Sequence, residues 1–260
     1  MKILALDTTG KQAGAAIVDE YITIGEIMIN AQSGPKAWHH SEILMPAVER
    51  LLALSGHNLE DMDYVAYTAG PGSFTGIRIG AATALGLAHS IGKPAVAVPT
   101  LDSLAYNVLG AVSQETLIVP LMDARSGQVY ASIYRAVPDM LTQLADSFIS
   151  PIMEALERVG EYDAPVIFLG DGADAYKTEI AASYPKAKIA PANANRQRAA
   201  SVGLCAIHQL KAHGHFPHNE ANPGQAQPRG HIYLDSTANP TAQPQLIYIR
   251  EPQAVRNRQP

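Results

Sequence analysis

The 260-residue chain holds one cysteine, one tryptophan and four phenylalanines. A lone Cys205 can form neither an internal disulfide nor a thiolate zinc cluster, which excludes disulfide scaffolds and zinc ribbons. Charge is scarce, at 17% of residues against roughly a quarter in an average domain. There is no basic excess: 19 Lys and Arg face 24 Asp and Glu, for a net charge of −5. A protein that grips nucleic acid unaided carries a basic field, so a partner must supply any such grip. No apolar run reaches the ~18 residues that span a bilayer. The longest candidate, 77–98, carries Arg78, His89 and Lys93. The opening MKILALDTTG is interrupted by Asp7 and reads as a strand rather than a signal peptide. A reducing cytosol is the expected location. What is present is a core: 47% of residues are hydrophobic, too many for wholesale disorder.

Strand and helix patterns alternate. Ile3–Leu6, Ala13–Val18 and Tyr21–Ile29 read as three strands joined by tight turns. Over 41–55, Leu44, Ala47, Val48, Leu51 and Leu52 recur at helical spacing, with Pro46 near the start or at a bend. Asp63–Thr68 is the next strand; the Gly-rich turn Ala69–Thr75 leads into a helix to Ser90, and Ala95–Val98 is a strand. After a boundary near Pro99 come a helix at Leu101–Leu109, strands at Leu117–Met122 and Gln128–Arg135, a helix at Ile152–Val159 and a strand at Val166–Leu169. Helices at Ala173–Ser183 and Arg196–Ala212 complete the second half. This is an α/β pattern. The Pro-, Gly-, Asn- and Gln-rich stretch from Pro217 to Pro244 reads as linker, and Leu246–Ile249 as a short strand. The two hairpins LALDTTGKQAGAAIV and PLMDARSGQVYASIY echo each other: an apolar strand, an Asp (Asp7, Asp123), a polar turn and a second strand.

Several segments could carry chemistry. In TAGPGSFTGIRIG the glycines turn the backbone sharply before a helix, whose free amides attract anions. It is neither G-x-G-x-x-G nor a Walker loop, so a phosphate cradle and a packing turn both remain open. Gly76, Gly80, Ala84 and Ala88 recur every four residues, a smooth ridge facing either the chain's own sheet or another subunit. Asp7-Thr8-Thr9 could hold a metal–phosphate complex, or could simply suit a hairpin turn. His39-His40 point apart on a helix, and His213, His215 and His218 adjoin a Pro-rich loop, so no metal site is assigned. Cys205 lies on an apolar helix face and reads as core.

LALDTTG, AGAAIVD, HHSEILMPAVERLL, AYTAGPGSFTGIRIGAATALGLA, LMDARSGQVYASIY and GDG together resemble the TsaB (YeaZ) family from the first strand to about Ala212. The resemblance implies two ribonuclease-H-like lobes of the actin/Hsp70/sugar-kinase superfamily. It places an N-terminal lobe at 1–100 and a smaller lobe at 101–215, with helix 196–212 packing back toward the first. A linker at 216–245 and a C-terminal strand and tail at 246–260 follow. It implies a scaffold subunit for a TsaD-type catalytic subunit that makes threonylcarbamoyladenosine at position 37 of ANN-decoding tRNAs. A TsaE-type ATPase joins the complex, a homodimer forms when TsaD is absent, and tRNA is met only through the complex, with no membrane contact. The chain then has no catalytic or metal residues and requires no cofactor. Asp7, Thr8 and Thr9 remain as a vestigial phosphate loop open to weak ATP or ADP binding. The expected subunit interface comprises Gly72, Ser73, Phe74, Thr75, Gly76, Arg78, Gly80 and Ala84, with Leu44 and Val48. The late Ile247-Tyr248-Ile249-Arg250, after a long polar insertion, departs from the family pattern.

Overall fold

A computed structural model describes residues 1–31, 38–138, 140–213, 233–235 and 246. The first strands, β1 (Ile3–Asp7), β2 (Gln12–Val18) and β3 (Thr23–Asn30), form an antiparallel meander. Helix α1 (His40–Ser55) follows, then β4 (Tyr64–Gly70), α2 (Phe74–Ser90), β5 (Ala95–Pro99) and α3 (Thr100–Leu109). β4 lies parallel to β1, and β5 parallel to β4. β1 and β4 are buried along their whole length, which is why they read as continuous apolar runs rather than alternating ones.

The second set comprises β6 (Thr116–Arg125), β7 (Gln128–Val137), β8 (Met140–Pro151), α4 (Ile152–Val159), β9 (Val166–Leu169), α5 (Asp171–Ala175), α6 (Lys177–Ser183) and β10 (Lys188–Ile189). β6, β7 and β8 form an antiparallel meander; β9 runs parallel to β6, and β10 to β9. Finally α7 (Ala199–Ala212) packs on β1 and β2, and the backbone of β11 (Tyr233–Asp235) pairs antiparallel with β5.

The chain divides into two compact units. One comprises Met1–Ser103 and the described part of Arg198–Leu246; the other comprises Leu104–Gln197. The first sheet runs β11-β5-β4-β1-β2-β3 and the second β10-β9-β6-β7-β8. Apart from β11, the order is fifth, fourth, first, second, third in both. This is an α/β arrangement in which each unit repeats one strand order. The hairpin echo in the sequence is thus the trace of a repeated topology.

Helix α1 buries Ile43, Leu44, Ala47, Val48 and Leu51. The Glu42 carboxylate accepts the His39 amide at 2.8 Å, and Gly56, at φ 68°, ends the helix. Pro46 lies inside this helix. Helix α7 is held at both ends. Glu26 on β3 accepts the Ala200 amide (2.9 Å) and Arg198 Nη2 (2.5 Å), while Glu20 accepts Lys211 Nζ (2.7 Å). The second unit's core gathers Leu117, Leu121, Val129, Ile133, Leu156 and Phe168.

Four elements differ from the sequence expectation. β8 is a strand where the sequence reading assigns no element, because an edge strand half open to solvent shows no clean alternation over MLTQLADSFISP. The helix expected at Ala173–Ser183 is two short helices that meet at Tyr176. The final helix begins at Ala199 rather than Arg196. Within the expected linker, Tyr233–Asp235 is strand. Apart from Leu246, the run Leu246–Ile249 and the tail after it lie outside the described residues.

Candidate functional site

The sharpest local feature is where β1 ends against the turn that opens α2. Asp7 is fully buried, as are Thr8 and Thr9. Asp7 Oδ1 accepts the Thr9 amide at 2.8 Å and the Thr9 hydroxyl at 2.9 Å. Its Oδ2 meets no donor in good geometry. Burial pushes the Asp7 carboxyl up to about 6. The Thr9 bonds and the Thr68 hydroxyl oppose that rise, and Glu26 adds slightly to it.

The turn from β4 closes over this point. Thr9 O accepts the Ser73 amide at 2.8 Å, and Thr8 Oγ1 donates to Gly76 O at 2.7 Å. Ser73 Oγ caps α2 by accepting the Gly76 amide at 3.3 Å. A Cβ on Gly76 would stand 1.9 Å from Thr8 O, and one on Gly80 would stand 2.5 Å from Thr8 Oγ1. Only a side chain of hydrogen lets α2 sit this close.

The ridge therefore faces the chain's own unit. Gly76, Gly80, Ala84 and Ala88 are all buried. Gly76, Gly80 and Ala84, expected at a subunit interface, are packed within their own unit, the two glycines directly against Thr8. Leu44 and Val48, expected at the same interface, are 1% and 2% exposed in the packing of α1. Of the expected interface residues, Ser73, Phe74, Thr75 and Arg78 reach solvent, with Gly72 partly so. Phe74 is 41% exposed, and the Arg78 guanidinium stacks 3.5 Å above its ring centre. From α1 the half-buried His40 imidazole faces Gly76; burial chiefly, with His39 beside it, lowers the His40 pKa. Trp38 and Met45, also exposed and apolar, flank and follow the start of α1. The sequence reading missed Met45 because its neighbours are core residues; only its place on the helix wheel gives it away.

The Asp-Thr-Thr turn does not fit a bound phosphate as it stands. The Thr8 and Thr9 hydroxyls and the Thr9, Ser73 and Gly76 amides, the donors a phosphate would need, are already engaged within the chain. In the second unit the corresponding Asp123 is exposed. Its Oδ1 accepts the Arg125 amide at 2.8 Å, and its own amide donates to Asp171 Oδ1 at 3.1 Å. Nearby, buried Asn195 accepts the Gly170 amide (2.7 Å) and donates to Asp174 (2.8 Å), to which Arg196 also binds.

Among the described residues no three His, Cys, Asp or Glu side chains approach closely enough to hold a metal, and no helix is long and apolar enough to cross a membrane. His213 Nδ1 bonds Gln209 O at 2.9 Å, whereas His215 and His218 lie outside the described residues. Cys205 is buried, and desolvation raises its thiol pKa well above the ordinary value, the opposite of an activated nucleophile.

Known proteins match much of the chain. The family model described as "TsaD: tRNA N6-adenosine threonylcarbamoyltransferase" matches residues 35–252. The Bacillus subtilis tRNA threonylcarbamoyladenosine biosynthesis protein TsaB is 36% identical over 180 residues, covering 69% of this chain and 75% of that protein. The Escherichia coli protein of the same name is 34% identical over 135 residues, covering 52% of this chain and only 55% of its own length. The solved structure of YeaZ from Pseudomonas aeruginosa aligns with a TM-score of 0.64 at 24% identity, over 82% of this chain and 93% of that one, a likeness of fold. On the extent of these matches, the chain belongs to the TsaB (YeaZ) family.

Proposed function

We propose that this chain acts in the biosynthesis of tRNA threonylcarbamoyladenosine as a non-catalytic subunit that binds and activates a TsaD-type threonylcarbamoyltransferase. In this reading the catalytic subunit transfers the threonylcarbamoyl group to adenosine 37 of ANN-decoding tRNAs. A TsaE-type ATPase joins them, and tRNA is met through the complex, consistent with a net charge of −5. The chain works in the cytoplasm, requires no cofactor of its own, and pairs with itself when the partner is missing. The observation that carries the reading is the sealed Asp7. An acid that must touch a metal–phosphate complex cannot do so from full burial beneath Thr9 and α2. The contact face in this proposal is the exposed start of α2, Ser73, Phe74, Thr75 and Arg78, extended by Met45. Its aromatic and arginine content is typical of interface cores.

The test is the threonylcarbamoyladenosine content of total tRNA, by mass spectrometry, in cells depleted of the chain. A sharp loss restored by adding the chain back is expected; an unchanged level refutes the reading. The rival is a stand-alone phosphotransferase using Asp7. It requires nucleotide turnover by the purified chain that disappears in Asp7→Ala, and equal rates in the two proteins dispose of it.

A further inference from the structure

We infer that the Asp7-Thr8-Thr9 turn is the rigid seat of the partner-binding face, and that Thr8 is its central positioning residue. The inference rests on the reading above. Two hydrogen bonds join the turn to the strand-to-helix segment that carries the face. Thr8 Oγ1 donates to Gly76 O at 2.7 Å, and the Ser73 amide donates to Thr9 O at 2.8 Å. They bracket Phe74 and Thr75. Arg78, one turn on, is stacked on Phe74. The third support is steric: Gly76 and Gly80 press directly on Thr8. The base of the turn is held in its turn by Asp7, whose Oδ1 takes both the amide and the hydroxyl of Thr9.

A buried carboxylate with one oxygen lacking a donor is a costly way to build a turn. That cost is intelligible if the segment on top of the turn has to be held rigidly. An association face whose residues keep their bound positions in the free chain loses less entropy on binding. The face consists of side chains at the first turns of a helix, so a small slide of α2 on Thr8 would move all of them together.

The experiment measures the affinity of the full chain for its TsaD-type subunit, with thermal unfolding of each variant alongside. Phe74→Ala and Arg78→Glu test the face itself. Thr8→Val removes the hydroxyl while keeping the side-chain volume, and Thr8→Ser restores the hydroxyl. Val202→Ala, buried on α7, lowers stability without altering any atom of the Thr8–Gly76 or Ser73–Thr9 hydrogen bonds. The expected result is that Thr8→Val weakens association about tenfold, that Thr8→Ser recovers most of it, and that Val202→Ala does not weaken it. If Thr8→Val does not fold, Thr9→Val serves instead, with a loss of about threefold expected. Undiminished binding by Phe74→Ala and Arg78→Glu would overturn the proposed face. Weakening by those two but not by Thr8→Val would overturn the seat alone. Equal weakening by Thr8→Val and Val202→Ala would reduce Thr8 to a general stabiliser and also overturn the seat.

Discussion

In the first unit Asp7 closes β1 and is fully buried; in the second, Asp123 lies near the end of β6 and is open to solvent. Both accept the amide two residues ahead, at 2.8 Å. Both face a Gly-x-Gly turn after the fourth strand, Gly70-Pro71-Gly72 and Gly170-Asp171-Gly172, and both turns enter with a positive φ, 112° and 103°. The difference lies in the helix beyond each turn. In the first unit it is the 17-residue α2, whose Gly76 and Gly80 allow it down onto Thr8. In the second it is the five-residue α5, broken at Tyr176, and Asp171 reaches back to the Asp123 amide. The comparison teaches that a carboxylate's role in a repeated fold depends less on its strand position than on the helix that covers it.

The most severe way to break this contrast is to pry the covering helix off. Gly76→Ala places a Cβ 1.9 Å from the Thr8 carbonyl oxygen, and α2 must move. Urea unfolding should record a loss of at least about 3 kcal/mol. A loss under about 1 kcal/mol would mean that α2 does not depend on its seat. The same experiment on Gly170→Ala, 2.0 Å from Leu121 O, is the matching lesion in the second unit.

Much of this architecture is legible in the residues alone. The spacing of Leu44, Ala47, Val48 and Leu51 marks the inward face of α1, and the paired hairpins mark the repeat. The small-residue ridge is legible as a close contact but not as to its partner, because periodicity identifies a face and not the surface it meets. The contact with Thr8 spans 68 residues of sequence. Glu26, a lone acid in a strand, shows no sign of capping α7 some 174 residues later. β8 is hidden because half-exposed edge strands tolerate polar residues on either face.

The clasp on α7 supplies the next test. Glu26 is largely buried and serves both the Ala200 amide and Arg198. Glu26→Ala leaves a helix N-terminus and a guanidinium without their anion, and should lower the stability of the first unit by about 2 kcal/mol. In the second unit the Asp174–Arg196 pair is more exposed, so Asp174→Ala should cost less, about 1 kcal/mol. Equal effects in parallel unfolding curves would show that burial does not separate the two pairs.

The two carboxylates can be compared through pH. Asp7 holds its proton more tightly in the folded chain, to about 6, than its ordinary 3.8. The folded state is therefore favoured at low pH. It loses stability as pH rises from about 4 through about 6, and changes no further above that. Asp7→Asn has no proton to lose and keeps the Oδ1 acceptor. Between pH 4 and pH 7.5 the stability difference should move by up to about 3 kcal/mol in the variant's favour. Asp123→Asn, at an exposed site, should stay within about 0.5 kcal/mol of wild type. A pH-independent difference for Asp7→Asn would contradict the burial of its charge.

The mildest test separates the two faces of α2. Gly86 lies inside the helix, is exposed, and has nothing within 4 Å of where a Cβ would stand. A glycine there only adds freedom to the unfolded chain, so Gly86→Ala should raise stability by about 0.5–1 kcal/mol. Gly80→Ala, six residues earlier on the inner face, should lower it, because its Cβ falls 2.5 Å from Thr8 Oγ1. Opposite signs within one helix would tie the sealing of Asp7 to the contact with Thr8. If both substitutions stabilise the chain, then α2 has room to spare at Thr8, and the burial of Asp7 must come from the Ser73–Thr9 bond and the turn above it instead.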